Sequence, residues 1–410
     1  MPPTETLKAR FVFPVAGPPI ADGAVTIQGD RIVAVGRASP GTPGVDLGNV
    51  ALLPGLVNAH THLELSDLDE PLGPPGIELP AWIGRLLAYR RARPAGAGQA
   101  VEKGLAECVA AGTAHVADFA QPGWDPAPLA AADVDATVLL ELIGPTADRA
   151  EACLETARQH LAGTDSRPGV RRGLAPHAPY SVHPLLLERA VALSRERAVP
   201  LATHLAESHH EIELLRRRAG PLRRLLEDLG AWNDDLIPSG VRPLDYLRKL
   251  AGAERALVVH GAYLDDTELA FVAAQAEQMS VVYCPRTHAH FGHAAYPLER
   301  MAALGVNVAL GTDSRATSPD LSLLAEMRRA AARHPAVAPA VIVRMATFGG
   351  ARALGLADRG RLVAGARADL TAVALPPDDA ADPHELLLGG AGPVVGRCRA
   401  GRWEAMPGSK

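Results

Sequence analysis

The chain has few of the residues that mark secreted or disulfide-stabilised proteins. Its 410 residues include only four cysteines, which lie too far apart in the sequence for a disulfide framework or a C-x-x-C metal knuckle. The N-terminus has no long apolar segment after a basic start, and no run of about 18 uncharged apolar residues occurs anywhere. We therefore expect a cytoplasmic protein that is neither exported nor inserted into a membrane.

The chain also lacks an excess of positive charge. Its formal net charge is -5 and its basic residues are scattered, so it does not have the charge distribution of a nucleic-acid-binding protein. With 48% hydrophobic residues it can bury one large core or two unequal ones. These features favour a small molecule as the partner, and they leave open whether the chain forms a homo-oligomer.

Short β segments begin and end the chain, and repeated β/α units fill the middle. Apolar strand-like runs alternate there with helical stretches. Eight runs are predicted as strands, at 51–58, 113–119, 136–144, 171–179, 200–207, 255–262, 280–287 and 307–314. This pattern predicts an α/β fold, a (β/α)8 TIM-like barrel, whose reactive groups lie where the strands end.

The rival architecture is an open, doubly wound sheet. That fold would place a G-x-G-x-x-G turn after an early strand, and the sequence has none there. Residues 51–355 are therefore predicted to form the barrel. Because both ends of the chain are β segments, residues 1–50 and 356–410 are predicted to form one small satellite β-sandwich.

The strongest chemical signal is a histidine pair at the end of the first predicted barrel strand. Side chains two residues apart on a strand point to the same face, so His60 and His62 can reach one metal ion. Three further strands end in His204, His260 and Asp313. Three of these four imidazoles and the carboxylate, with a water, suit Zn²⁺ or Fe²⁺. The sequence therefore predicts a divalent metal ion at this end of the barrel.

The scarcity of lysine bears on the number of metal ions. Two-metal barrel hydrolases commonly bridge their ions with a modified lysine at the end of strand four, whereas none of the four lysines lies near a predicted strand end. One metal ion is therefore favoured. Glu141 on the third strand is an alternative additional ligand.

Catalysis needs proton transfer as well as a metal ion, which lowers the pKa of its bound water. Glu207 follows His204 by three residues and would point to the wrong face of a continuing strand. We therefore expect the strand to end near Leu205, which brings Glu207 into the barrel mouth as general acid and base. Asp313 can accept a proton from the water, and His260 can hold that water or the developing oxyanion.

These residues resemble the amidohydrolase superfamily, in particular its cytosine deaminase-like and nucleoside deaminase-like branch. The resemblance covers nearly the whole chain, through PGLVNAHTHLE, GLAPHAPYSVHP, THLAES, VHG, CPRTHAHFGH, GTDS and GARADL. It implies four metal ligands, a proton shuttle and a residue beside the hydrolytic water. The implied metal ligands are His60, His62, His204 and Asp313. The implied proton shuttle is Glu207, and the implied residue beside the hydrolytic water is His260. The implied reaction is hydrolytic deamination of an aminated N-heterocycle, with metal hydroxide attacking the amine-bearing carbon.

Three segments resemble the 6-aminodeoxyfutalosine deaminases of the futalosine route to menaquinone. These segments are HTHLELS, LPAWIGRLL and APHAPYSVHP. They imply substrate contacts from Glu64, Ser66, Trp82 and His177. The substrate of those enzymes carries a benzoate, and a planar guanidinium suits a carboxylate. We therefore hypothesise that Arg286, or an arginine within 85–93, holds the substrate carboxylate.

Other activities of the superfamily stay open as alternatives. These are methylthioadenosine/adenosylhomocysteine, guanine and cytosine-type deaminases, and chlorohydrolases. Methylthioadenosine and adenosylhomocysteine deaminases usually carry an acidic residue for ribose beyond the position of Trp82, where this chain has arginines. A non-catalytic barrel is the alternative of a different class, but such relatives typically lose metal ligands. His209 and His210 follow Glu207 into a helix and are expected to face solvent.

Overall fold

The computed structural model describes residues 4–39, 41–93, 98–163 and 169–406, and two eight-stranded sheets organise them. The first sheet contains strands from both ends of the chain. Its strands are β1 (Thr4–Val12), β2 (Ile20–Gln28), β3 (Arg31–Arg37), β4 (Val45–Asp46), β5 (Val50–Pro54), β14 (Leu370–Ala374), β15 (Val394–Arg399) and β16 (Arg402–Ala405). Their order is β16-β15-β14-β5-β1-β2-β3, and β4 pairs with β1. Strand β1 pairs antiparallel with β2 and parallel with β5. The hydrogen bonds of the predicted satellite unit therefore form one mixed sheet.

The second sheet forms the barrel, in which consecutive strands are neighbours and run parallel. Its strands are β6 (Leu56–Thr61), β7 (Thr113–Ala120), β8 (Asp135–Leu142), β9 (Val170–Pro176), β10 (Pro200–Leu205), β11 (Arg255–His260), β12 (Met279–Tyr283) and β13 (Val308–Leu310). A parallel bridge between Thr61 and Asp313 joins the ends of β6 and β13. The prediction of an eight-stranded β/α barrel is therefore confirmed.

Helices connect the barrel strands, and four more follow the last barrel strand. Those before β10 are α1 (Leu79–Ala92), α2 (Gly98–Ala110), α3 (Ala127–Ala131), α4 (Ala147–Ala162) and α5 (Pro184–Arg197). Those that follow are α6 (His209–Arg217), α7 (Pro221–Asp228), α8 (Pro243–Leu250), α9 (Asp266–Ala274), α10 (Pro285–His290), α11 (Leu298–Leu304), α12 (Leu323–Arg333), α13 (Pro339–Arg344), α14 (Gly350–Ala353) and α15 (Pro383–Gly389). Helix α5 shows the pattern, because Leu186, Ala190 and Leu193 recur at helical spacing and are buried in one cluster with Leu174 and Leu201 of the barrel. Among the described residues, no helix has both the length and the apolar composition needed to cross a membrane.

The segment 51–58, predicted as one barrel strand, is divided between the two sheets. Its first half lies in β5 and pairs with β14, and only its second half enters the barrel as β6. The chain changes sheets at Gly55, where an added Cβ would lie 2.5 Å from the Cβ of Ala114. Both halves are buried and apolar, so their local pattern does not distinguish the two sheets.

Candidate metal centre and active site

His60 lies at the centre of a buried ionisable cluster at the C-terminal ends of the barrel strands. It is 0% exposed, and neither ring nitrogen has a hydrogen-bond partner among the described residues. The ligand atoms of His60, His62 and Asp313 lie within 4.8 Å of one another, and so do those of His60, His204 and His260. Unpartnered buried nitrogens normally cost free energy. The arrangement therefore fits side chains that together hold a cation.

Unusual backbone conformations direct these groups into the barrel mouth. Strand β10 ends at Leu205, as the offset of Glu207 predicts, and Ala206 then has φ of 55°. His260 and Asp313, at the ends of their strands, have φ of 69° and 57°. The left-handed region costs free energy for residues other than glycine and is frequent at functional sites. The bent strand ends are therefore a structural sign of a site.

The carbonyl group of His177 fixes the ring of His204. That oxygen lies 2.9 Å from Nδ1 of His204 and also accepts the backbone N–H of His204, at 2.8 Å. Because a carbonyl oxygen can only accept, Nδ1 carries the proton and donates it. The other ring nitrogen, Nε2, is then left with its lone pair for a metal ion.

The electrostatics give the ligand atoms the protonation states that a divalent cation requires. Burial lowers the pKa values of His62, His204 and His260 well below the ordinary value, which keeps these imidazoles neutral. Burial raises the pKa of Asp313, but the adjacent ring of His60, whose Nε2 lies 3.6 Å from Oδ1, and the imidazoles of His260 and His62 favour the ionised carboxylate more strongly, so that pKa lies well below its usual range. Neutral imidazoles and an ionised carboxylate are the forms that bind metal.

Glu207 faces the same centre in a different protonation state. Its carboxylate Oε1 lies 3.6 Å from Nε2 of His260. Burial raises the pKa of Glu207 well above the ordinary value, and the carboxylates of Asp313 and Glu211 raise it further. A carboxyl group that keeps its proton near neutral pH can act as a general acid.

A cavity that opens to solvent lies over these groups. Its polar floor includes His62, His204, Glu207, His260 and Asp313. Its apolar wall comes mainly from α1 and α7, with Leu79, Trp82, Ile83, Leu86, Leu222, Leu225 and Leu226. Trp82 is held in the wall because its Nε1 donates to the carbonyl oxygen of Ala316, at 3.2 Å. Trp82 and His177, both predicted to contact substrate, therefore line the cavity.

The other three predicted substrate contacts are not among the residues that line this cavity. Glu64 accepts hydrogen bonds from Arg90 and Arg93, at 2.6 and 2.9 Å. Ser66 is buried against α2, where a Cβ on Gly104 would lie 2.2 Å from its Oγ.

Arg286 is occupied elsewhere. It donates to a carboxylate oxygen of Asp320 at 2.7 Å and pairs with the buried Glu326. These partners use its guanidinium within the protein. Of the arginines in 85–93, Arg90 does line the cavity, and Arg149 on α4 lines it as well.

Two buried carboxylates that the sequence analysis did not single out hold the site's turns. Asp118 accepts the backbone N–H of Leu63, directly after His62, at 2.9 Å. Glu211 accepts the backbone N–H groups of Ala206 and Glu207, at 3.0 and 2.9 Å. The sequence does contain a signal for Glu211, because Ser208 and Glu211 form the S-x-x-E pattern that is typical of a helix N-terminus.

The comparisons with known proteins agree with this geometry. Residues 51–396 match the amidohydrolase family. An aminodeoxyfutalosine deaminase from Deinococcus radiodurans is 33% identical over 356 residues, which cover 81% of each chain. A 5-methylthioadenosine/S-adenosylhomocysteine deaminase from Moorella thermoacetica is 30% identical over 92% of this chain and 86% of its own. The crystal structure of Helicobacter pylori aminofutalosine deaminase in complex with methylthio-coformycin has a TM-score of 0.85 at 22% identity, covering 98% of this chain and 100% of that chain. The chain therefore belongs to the amidohydrolase family.

Proposed function

We propose that this amidohydrolase-family deaminase, a hydrolase of C–N bonds, acts on an adenine-bearing nucleoside, and that its substrate is 6-aminodeoxyfutalosine of menaquinone biosynthesis. One observation carries the proposal: the buried Glu207, whose carboxylate lies 3.6 Å from His260, faces the same cavity as the histidine and aspartate cluster. The similarity to the Deinococcus radiodurans aminodeoxyfutalosine deaminase supports the substrate assignment.

The metal ligands in this proposal are His60, His62, His204 and Asp313. The set fits a metal ion because His60 is buried with both ring nitrogens unpartnered within the described part of the chain. Neutral nitrogens with one carboxylate suit Zn²⁺ or Fe²⁺. Such an ion would supply an activated water as the nucleophile for the amine-bearing carbon.

The chain's own side chains carry the protons. Glu207 gives its proton to a ring nitrogen of the substrate as the water adds to the neighbouring carbon. One proton of the water then passes through Glu207 to the amino group, which leaves as ammonia, and the proton of the remaining hydroxyl returns to Glu207 as the carbonyl group forms. His260, 3.6 Å from Glu207, would hold the water in place. Asp313 keeps a negative charge beside both groups and can accept the water's proton.

The cavity wall recognises the base in this proposal. His177 engages Ser181 through Nδ1 at 2.6 Å, so its other ring nitrogen is free for a hydrogen bond to a purine nitrogen. Burial lowers the pKa of His177 to about 3, which keeps the ring neutral. Trp82 offers an aromatic surface in the same cavity.

Arg149 is our proposed partner for the benzoate of the substrate. It is exposed at the cavity rim and makes no side-chain hydrogen bond or ion pair with another described residue. Arg90 lines the same cavity but is already paired with Glu64. We therefore assign the carboxylate to Arg149 rather than to Arg286, whose guanidinium binds Asp320 and Glu326.

Ammonia release from a panel of substrates tests the proposal. The metal-loaded enzyme is assayed with 6-aminodeoxyfutalosine, adenosine, methylthioadenosine, adenosylhomocysteine, guanine and cytosine. We expect the first to turn over fastest. Arg149→Met should raise KM for it about tenfold or more, the value of one charge-assisted hydrogen bond, and leave adenosine unaffected.

The control is Arg158→Met, on the exposed face of the same helix. An unchanged KM in Arg149→Met would refute the role of Arg149. Turnover of methylthioadenosine and adenosylhomocysteine in preference to 6-aminodeoxyfutalosine would instead support the second candidate function, which the Moorella thermoacetica relative favours.

A further inference from the structure

A second group of metal-ligating side chains lies outside the active site. The ligand atoms of Glu78, His209 and His210 all lie within 4.8 Å of one another. Glu78 directly precedes α1, and the two histidines are the first residues of α6. The group shares no residue with the cluster around His60.

His210 is the residue that sets this group apart from a chance meeting of surface side chains. It is 5% exposed, so the expectation that it faces solvent is wrong, whereas His209 is exposed as expected. Neither ring nitrogen of His210 makes a hydrogen bond of good geometry with a described residue. The Nε2 atom instead points to the Glu78 carboxylate, 3.4 Å from Oε2.

The distances suit a tetrahedral ion. Ligand atoms held at about 2.0–2.1 Å from Zn²⁺ in tetrahedral geometry lie about 3.4 Å from one another, which is the separation of His210 and Glu78. No separation in the group exceeds 4.8 Å, so the ligand atoms need to approach one another by about 1.4 Å at most. The side chains of Glu78 and His209 are exposed and can rotate to supply this change.

We propose that Glu78, His209 and His210 form a second binding site for a divalent transition-metal ion such as Zn²⁺, separate from the catalytic centre. Two imidazoles and a carboxylate, with a water, complete a four-coordinate shell. The partial positive charge at the N-terminus of α6 opposes a cation, and the Glu78 carboxylate supplies the compensating negative charge.

The position of the site gives the ion a consequence for the cavity. The site joins the start of α1, which forms much of the cavity wall, to the start of α6, which begins two residues after Glu207. An ion bound to both helices restrains their relative movement. We expect added Zn²⁺ to stabilise the protein against heat and to slow substrate access to the cavity.

Metal titration of the holoenzyme tests the site without relying on activity. Protein that retains one tightly bound metal ion is titrated with Zn²⁺ by calorimetry, and its metal content is measured after gel filtration. We expect a second equivalent in the wild-type protein. Glu78→Gln and His209→Ala should each raise Kd of that second equivalent at least tenfold. Glu70→Gln, which removes the same charge from an exposed position earlier in the loop, should leave Kd unchanged.

A separate variant distinguishes the two sites. His60→Ala should lose the tightly bound ion and keep the weaker one. The proposal is overturned if the wild-type protein binds only one equivalent, or if the second equivalent binds with the same Kd in Glu78→Gln and His209→Ala. Neither outcome depends on which substrate the enzyme deaminates.

Discussion

Replacing Glu211 should disturb catalysis although this side chain does not line the cavity. Glu211 is 0% exposed, and its two carboxylate oxygens each accept a backbone N–H, from Ala206 and from Glu207. Ala206 has φ of 55°, so these hydrogen bonds hold a turn that the backbone would otherwise avoid. We therefore regard Glu211 as a positioning residue for Glu207.

The size of the effect follows from the number of hydrogen bonds lost. Glu211→Gln keeps one carbonyl oxygen but presents an NH₂ group to the second backbone N–H, which leaves one buried donor unpartnered. Such a donor costs about 1–3 kcal/mol, so the free energy of unfolding should fall by that amount. Glu211→Ala loses both acceptors and should cost about 2–6 kcal/mol.

Urea unfolding and steady-state kinetics of the metal-loaded protein measure the two consequences. We expect kcat of Glu211→Gln to fall, with KM and metal content close to wild type, because the turn that carries Glu207 moves and the ligands on the other strands do not. Glu213→Gln, on the same helix, is the matched control. A Glu211→Gln variant with wild-type kcat and a stability change below about 0.5 kcal/mol would refute the reasoning.

Two further predictions concern packing and metal. Gly104→Ala should destabilise the protein by about 1–3 kcal/mol, because the new methyl group would lie 2.2 Å from Oγ of Ser66. In urea unfolding, the double variant with Ser66→Gly should recover most of that loss. If it recovers none, this contact is not the cause. Prolonged chelation should lower Tm and abolish ammonia release, and added Zn²⁺ or Fe²⁺ should restore both. A metal-free protein that keeps its Tm after chelation would contradict the presence of a cation at the His60 cluster.

The barrel was predictable because its determinants are local. Strand and helix periods recur along the chain, and the parallel direction of the strands brings their last residues to one face. That rule alone predicts that His60, His204 and Asp313, which are more than a hundred residues apart in the sequence, meet at one site. The three-residue offset of Glu207 was enough to place the end of β10 at Leu205.

The remaining features depend on partners that the local sequence does not specify. Residues 51–54 are as apolar as the barrel strands, but they pair with β14, which follows more than three hundred residues later. In the sequence, Arg286 is only an arginine that follows a strand. In the fold, its guanidinium is paired with Asp320 and the buried Glu326. Nothing in the sequence distinguishes Asp118 from other carboxylates, whereas in the fold it accepts the backbone N–H of Leu63.

The bridge between Thr61 and Asp313 has a consequence for the order of events during synthesis. It places the proposed metal ligands on both sides of the junction between the first and last barrel strands. A nascent chain carries His60 and His62 early, but the set is incomplete until Asp313 has left the ribosome. The terminal sheet is delayed further, because β5 needs β14 as its neighbour. We therefore expect metal loading to be a late, post-translational step, and truncated chains that end before β13 to bind the catalytic ion poorly.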